Sequence, residues 1–241
     1  IIAFKDNSSV IEGDDINYLY PKPNSKLHKY KSKNLGFDIL LTAETHNFPT
    51  GIAPFEGATT GTGGRLRDVF ATGRGGLMIA GTAGYCVGNL LLDDYELDYE
   101  ENISDRLDVK LKGWKILIEA SNGASDYGNK IGEPLILGFT RSYGQTMLCE
   151  YNNEQTQNEE RIEWIKPIMF SGGIGSIYQN HTSKKTPMPN MLIVRAGGPA
   201  YRIGLGGGAA SSTEQKNNNT DDDSYHNAVQ RGNAEMENRL Y

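Results

Sequence analysis

The sequence predicts a mixed α/β fold, and three observations carry that expectation. Its apolar runs are short enough to be strands, a segment of helical period lies between two of them, and its 29 glycines mark tight turns and close backbone approaches. The first run, residues 37–44 (FDILLTAE), is expected as a buried strand that delivers Glu44 and His46 at its C-terminal end, where Asn47-Phe48-Pro49 begins a turn. Residues 77–87 form a second strand, in which Gly81 and Gly84 predict a bulge or a close contact. Residues 135–141 form a third. Between the second and third lie an acidic, tyrosine-bearing loop (93–108) and a helix from Leu111 to about Ala124, with Leu111, Trp114 and Ile118 near one face.

Residues 149–160 are polar and rich in Asn, Gln and Glu, which places a domain boundary there or just after, near 161–165. Residues 1–160 are then one domain and 161–241 the start of a second. The second domain is expected to hold strands at 164–170, 191–195 and 201–205, with a glycine turn after the first. Residues 212–223 (STEQKNNNTDDD) read as a disordered loop insertion.

A chain of 241 residues can bury a core in one large or two modest domains. No run approaches the roughly 20 apolar residues of a membrane helix, so no membrane role is expected. The formal charge of −6 argues against nucleic acid as a partner, despite the basic stretch Lys22, Lys26, His28, Lys29, Lys31 and Lys33, which reads as a solvated loop. Cys86 and Cys149 make neither a metal-ligand spacing nor a disulfide framework, and a reducing cytoplasm fits. The opening Ile1-Ile2-Ala3-Phe4 and a helix-like close at 233–241 lead us to expect an internal piece of a longer protein.

Residues 42–68 (TAETHNFPTGIAPFEGATTGTGGRLRD) concentrate the chemistry. The glycines Gly57, Gly61, Gly63 and Gly64, with Thr59, Thr60 and Thr62, can let backbone N–H groups approach an anion, while Glu44 and Asp68 can hold an accompanying Mg²⁺. Phosphoryl transfer needs those parts. His46 sits beside a carboxylate and the Asn47 carboxamide, as a general base or a stabiliser of developing charge would. Arg65, Arg67 and Arg74 form a cationic cluster suited to bidentate phosphate contact or to pairing with an acid; Arg67 is favoured for the ligand, and Arg65 and Arg74 stay open.

Other signals are weaker. There is no GxxxxGK[S/T], no GxSxG and no paired metal-site histidines. Residues 204–209 satisfy GxGxxA with Asp221 at dinucleotide spacing, but that acid lies in the low-complexity stretch and not at a strand end. Residues 121–128 (SNGASDYG) and 172–176 (GGIGS) read by default as turns.

The chain also strongly resembles the phosphoribosylformylglycinamidine synthase family in its long form. The likeness runs from 42–68 through AGTAGYCVGNL (80–90), EASNGASDYGNKIGEP (119–134), WIKPIMFSGGIGS (164–176), GGPAYRIGLGGGAASS (197–212), AVQRG (228–232) and Glu235-Met236-Glu237. It implies an aminoimidazole-ribonucleotide-synthetase-like N-terminal domain whose sheet builds a barrel with a partner domain, followed by the start of a similar C-terminal domain. It implies ATP-dependent conversion of formylglycinamide ribonucleotide to the amidine in purine biosynthesis, with ammonia from a glutaminase domain outside this chain. Alternatives are another ATP-using synthetase of the superfamily, or a non-catalytic nucleotide-binding half.

By the same resemblance, Glu44 and Asp68 are Mg²⁺ ligands and His46 is the proton acceptor. Thr45, Asn47, Phe48, Arg67 and Gln230 contact substrate. Gly57, Ala58, Thr59, Thr60, Gly61, Thr62, Gly63, Gly64, Arg65, Leu66, Arg67 and Asp68 form an ATP-binding loop, with Leu137, Gly138 and Phe139 as further nucleotide contacts. Phe48 stands where many relatives carry a second histidine. The glutaminase nucleophile and a further aspartate-bearing metal segment are not found in this chain, so it is expected to be inactive alone.

Overall fold

The computed structural model describes residues 1–22, 29–101, 111–150, 157–198 and 229–241. Five strands form one sheet in the order β1 (Ser9–Pro21), β2 (Tyr30–His46), β7 (Ile168–Tyr178), β3 (Leu77–Val87) and β4 (Leu135–Ser142). All neighbours are antiparallel except β3 and β4, the pair joined through a crossover helix. The helices α1 (Phe48–Ile52), α2 (Pro54–Ala71) and α3 (Gly113–Ile131) pack with the sheet, and a short C-terminal helix, α4 (Ala234–Leu240), lies on α3. A separate hairpin joins β5 (Gly144–Glu150) to β6 (Gln157–Glu163).

The core forms where α2 and α3 meet the sheet. Leu40 of β2, Ile177 of β7 and Val69 of α2 are fully buried together with Val10. Leu66, Tyr127, Ile131 and Ala234 form a second cluster that fastens α4 down. On the opposite sheet face Ile39, Leu41, Ile174 and Phe139 each stay more than a third exposed. The strand expected at 37–44 lies within β2, yet it is one-sided and not buried throughout. Alternation sends Leu40 to the helices and its neighbours Ile39 and Leu41 to the open face.

Several expectations are corrected by this topology. A boundary at 160/161 cannot stand, because β7 lies between β2 and β3 in the middle of the first sheet. The polar stretch 149–160 includes parts of β5 and β6, a hairpin within that body. The glycines at 172–176 are not a turn: they lie inside β7, where missing side chains admit groups from the helix layer. An added Cβ at Gly173 would lie 2.6 Å from Arg65 Nη1, and one at Gly175 would lie 2.9 Å from Val69. Residues 191–195 form no strand; Leu192, Ile193 and Val194 are exposed. The expected strand at 201–205, the 204–209 glycine motif and the 212–223 insertion lie outside the described residues.

The helix expected near 111–124 is α3, which runs to Ile131 and ends on left-handed Gly132. Its buried side is Ile116, Ala120, Ala124, Tyr127 and Ile131, whereas Ile118 faces out. The 121–128 stretch is therefore helix and not turn. Gly123 lets α3 touch the start of α2, since a Cβ there would lie 2.1 Å from the Phe55 carbonyl. The bulge expected near Gly81 is present, with register shifts at 78–80 and at 81/82.

Candidate functional site

A cleft of about 350 Å³ lies between the end of β2 and one face of α2, lined by Glu44, Thr45, His46, Thr60, Gly61, Gly64, Arg65, Arg67, Asp68 and Gln230. Two periodicities assemble it. Glu44 and His46 alternate with Thr45 on β2, so both present to the helix side. Thr60, Gly64, Arg67 and Asp68 recur at i, i+4, i+7 and i+8 on α2, which puts them on one stripe. Gln230 arrives from the C-terminal segment, fixed by its backbone carbonyl accepting a hydrogen bond from Thr60 Oγ1 at 2.5 Å.

The residues expected as a glycine-rich loop are instead an 18-residue helix. Beyond the first turn its N–H groups are spent on i→i−4 bonds and cannot cradle a phosphate. Gly57, Ala58, Thr59, Thr62, Gly63 and Leu66 turn into packing. Gly57 abuts the Pro49–Thr50 backbone, and Gly63 abuts the Tyr127 ring. Thr59 donates to the carbonyls of Phe55 and Gly123, and Leu66 is fully buried in the core. Gly61 and Gly64 do reach the cleft. On that side Gly64 is open: among the described residues an added Cβ would find only Arg67 Nη2, 3.7 Å away.

Arg65 is not available to a ligand. Its side chain is fully buried in a two-pronged ion pair with Glu133, with Arg65 Nη1 2.5 Å from Glu133 Oε1. Arg67, by contrast, stays 38% exposed and reaches Glu237 Oε1 at 2.7 Å. Phe48 is fully buried and cannot touch a substrate. Leu137, Gly138 and Phe139 lie on β4, the sheet's edge strand, outside the cleft lining; Leu137 and Phe139 are exposed. Asn47 caps α1 without a side-chain cap bond, and its buried Oδ1 has no hydrogen-bond partner among the described residues.

The charges in the cleft act on one another. Glu44 titrates above the usual carboxylate range, first from partial burial and then from the Asp68 charge. Asp68 is also raised by burial, against the pull of an Asn7 hydrogen bond and of Arg67 and Arg65. His46 is pushed down to about 4, chiefly by desolvation and also by the Arg67 charge, with a bond to the Gly57 backbone opposing. It is therefore neutral at pH 7. Thr50 Oγ1 donates to the His46 carbonyl at 2.8 Å and lies 3.5 Å from its Nδ1. Among the described residues no cluster of three or more His, Cys, Asp or Glu side chains could hold a metal. Two carboxylates fit Mg²⁺ only if phosphate oxygens and water complete the shell, as that ion prefers.

Sequence reasoning missed Asn7, whose Nδ2 donates to Asp68 Oδ1 at 3.3 Å, and Glu133 and Glu237, which hold the two arginines. Glu133 and Glu237 lie within matched motifs, but no local pattern shows the partner of any of the three, because each acts across 61 or more positions of chain.

No family model matches the chain. It is 56% identical over 240 residues to phosphoribosylformylglycinamidine synthase of Dictyostelium discoideum, and 50% identical over 240 residues to the enzyme of that name from Homo sapiens. Each match takes in all of this chain and 17% of the relative, so the chain spans about a sixth of their length. Solved structures overlay loosely. Thermotoga maritima PurL complexed with FGAR covers 74% of this chain and 19% of its own at 20% identity and a TM-score of 0.39. AaThiL complexed with AMPPCP and TMP covers 72% and 36% at 12% identity and a TM-score of 0.37. Among the described residues no helix is long and apolar enough to cross a membrane.

Proposed function

We propose that this chain supplies the ATP-dependent synthetase site of a phosphoribosylformylglycinamidine synthase. The reaction is conversion of formylglycinamide ribonucleotide, ATP and ammonia to formylglycinamidine ribonucleotide, ADP and phosphate. The observation that carries the reading is end-to-end identity of about half with relatives of that name, in a chain whose motif residues converge on one cleft.

In this reading the γ-phosphate of ATP is transferred to the amide oxygen, ammonia adds to the activated carbon, and phosphate leaves with that oxygen. Neutral His46 takes the proton that the incoming nitrogen sheds. Arg67 meets an anionic group of the substrate, Gln230 and the Thr45 backbone orient it, and Gly61 and Gly64 keep the cleft floor low enough for close approach. Glu44 and Asp68 would hold Mg²⁺, which neutralises phosphate charge when bound. The protein's part is mostly positioning and charge neutralisation. Ammonia comes from a glutaminase elsewhere in the protein, the open sheet face packs against a partner domain, and we place the reaction in the cytoplasm.

The test is nucleotide titration and turnover in the full protein and its Glu44→Ala variant. The proposal expects weakened Mg·ATP binding and lost turnover in the variant. Unchanged binding and turnover would instead assign the cleft a structural role.

A further inference from the structure

Arg67 is the cleft's cation, and its long side chain needs something to hold it. A free arginine samples many rotamers and gives up much of that freedom on engaging a ligand. Here the holding group comes from the far end of the chain. Glu237 of α4 places Oε1 2.7 Å from Arg67 Nη1, while Arg67 Nη2 lies over the open side of Gly64, 3.7 Å from where a Cβ would stand. One part of the guanidinium is thus engaged by Glu237 and another is left over the cleft.

The carboxylate itself is well anchored. Asn233 caps α4 by accepting from the Met236 N–H at 3.0 Å, and Ala234 is buried with Leu66, Tyr127 and Ile131. Asn238 donates to the Lys130 carbonyl at 2.9 Å, and the Tyr241 ring stacks on Phe70 at 3.7 Å between centroids. Glu237 Oε2 and the Tyr127 hydroxyl are both buried, one beside the other. Tyr127 titrates above its usual range from burial and then from its hydrogen bond to Glu237 and that group's charge, with Arg67 pulling the other way, so the phenol lies beside both members of the ion pair. The phenol ring fits there because Gly63 has no side chain; a Cβ would lie 2.6 Å from it.

We propose that Glu237 is a positioning residue for Arg67: the C-terminal helix docks on α2 and α3 to hold the guanidinium over the cleft, aimed at an anionic phosphate-ester group of the substrate. A half-exposed ion pair contributes little to folding, so orientation is what this one supplies. The inference rests on the reading of the cleft given above.

The experiment uses the full protein with Glu237→Gln, Glu237→Asp, Arg67→Ala and the Arg67→Ala/Glu237→Gln double variant. Glu237→Gln is expected to raise KM for formylglycinamide ribonucleotide on the order of tenfold, the effect of losing one oriented charged contact, with kcat and the unfolding temperature little changed. Glu237→Asp recovers part of that loss, and the double variant is no worse than Arg67→Ala. A ligand-free readout accompanies the kinetics: modification of Arg67 by phenylglyoxal, followed by peptide mass spectrometry, is faster in Glu237→Gln than in the parent. An active enzyme whose KM is unmoved by Glu237→Gln, additive effects in the double variant, or unchanged Arg67 modification each overturns the inference. If the parent fails to turn over formylglycinamide ribonucleotide while Arg67 modification still accelerates in the variant, the reading of the reaction falls and the clamp stands.

Discussion

Arg65 and Arg67 stand two residues apart on the same helix, yet the two sides of α2 use them in opposite ways. Arg65 turns toward the sheet and is buried against Glu133, in slots left by Gly81 and Gly173. Arg67 turns toward the cleft, stays partly wet and is tethered by Glu237. The same charge is structural where water is excluded and available where it is not. What separates the roles is the stripe of the helix each occupies, 200° apart at 100° per residue.

The difference should show in stability. Glu133→Ala leaves the buried Arg65 charge unpaired and is expected to cost about 3–5 kcal/mol in denaturant unfolding. Glu237→Ala should cost less than about 1 kcal/mol. Equal losses would erase the distinction between the two sides.

Acidification probes the cleft side. His46 titrates near 4 in the fold, below the 6.5 of an ordinary histidine, so the unfolded chain binds the extra proton first. The favourable contribution of neutral His46 is complete above about pH 6.5 and is lost as pH falls toward 4, by at most about 3 kcal/mol. Glu44 and Asp68 have raised values and act with the opposite sign, gaining stability as they protonate in the fold. The measurement is therefore the difference in unfolding free energy between the parent and His46→Ala from pH 7 to 4. A difference that does not change with pH would contradict a buried neutral imidazole.

Glycine replacements sharpen the contrast further. Gly173→Ala drives a methyl against the Arg65 guanidinium, 2.6 Å away, and should destabilise by about 1–3 kcal/mol. Gly64→Ala meets nothing closer than 3.7 Å in mid-helix and should stabilise by about 0.5–1 kcal/mol while weakening ligand binding, because it raises the cleft floor. Thermal unfolding with parallel nucleotide titration separates the two effects. A Gly64→Ala protein with parent-like affinity would remove Gly64 from the binding surface.

How much of this was legible in the sequence follows the same division. The apolar runs ending in Glu44 and His46, the strand interrupted at Gly81 and Gly84, and the gathering of Glu44, His46, Arg67, Asp68 and Gln230 could all be read from local pattern and motif. The helical state of residues 54–71 could not. Gly, Thr and β-branched neighbours are poor helix formers, and tertiary packing against Tyr127, Met169 and the Phe55–Gly123 contact overrode that propensity. The place of β7 between β2 and β3 was invisible for a related reason, since strand order depends on partners about 80 or more residues away and the glycines in β7 mimic a turn. The exposed 137–139 edge and the buried Phe48 show the remaining limit: a motif position says which residue is present and not which way its side chain faces.

We propose the cleft at the end of β2 as the place where the amide is activated and aminated, with His46 as the proton acceptor. The most direct measurement is ammonia-dependent turnover of formylglycinamide ribonucleotide by the full protein and its His46→Ala variant, with unfolding temperatures recorded alongside. A fall of roughly 10²-fold or more in a folded variant is the predicted result. A fall of only a few-fold would contradict it.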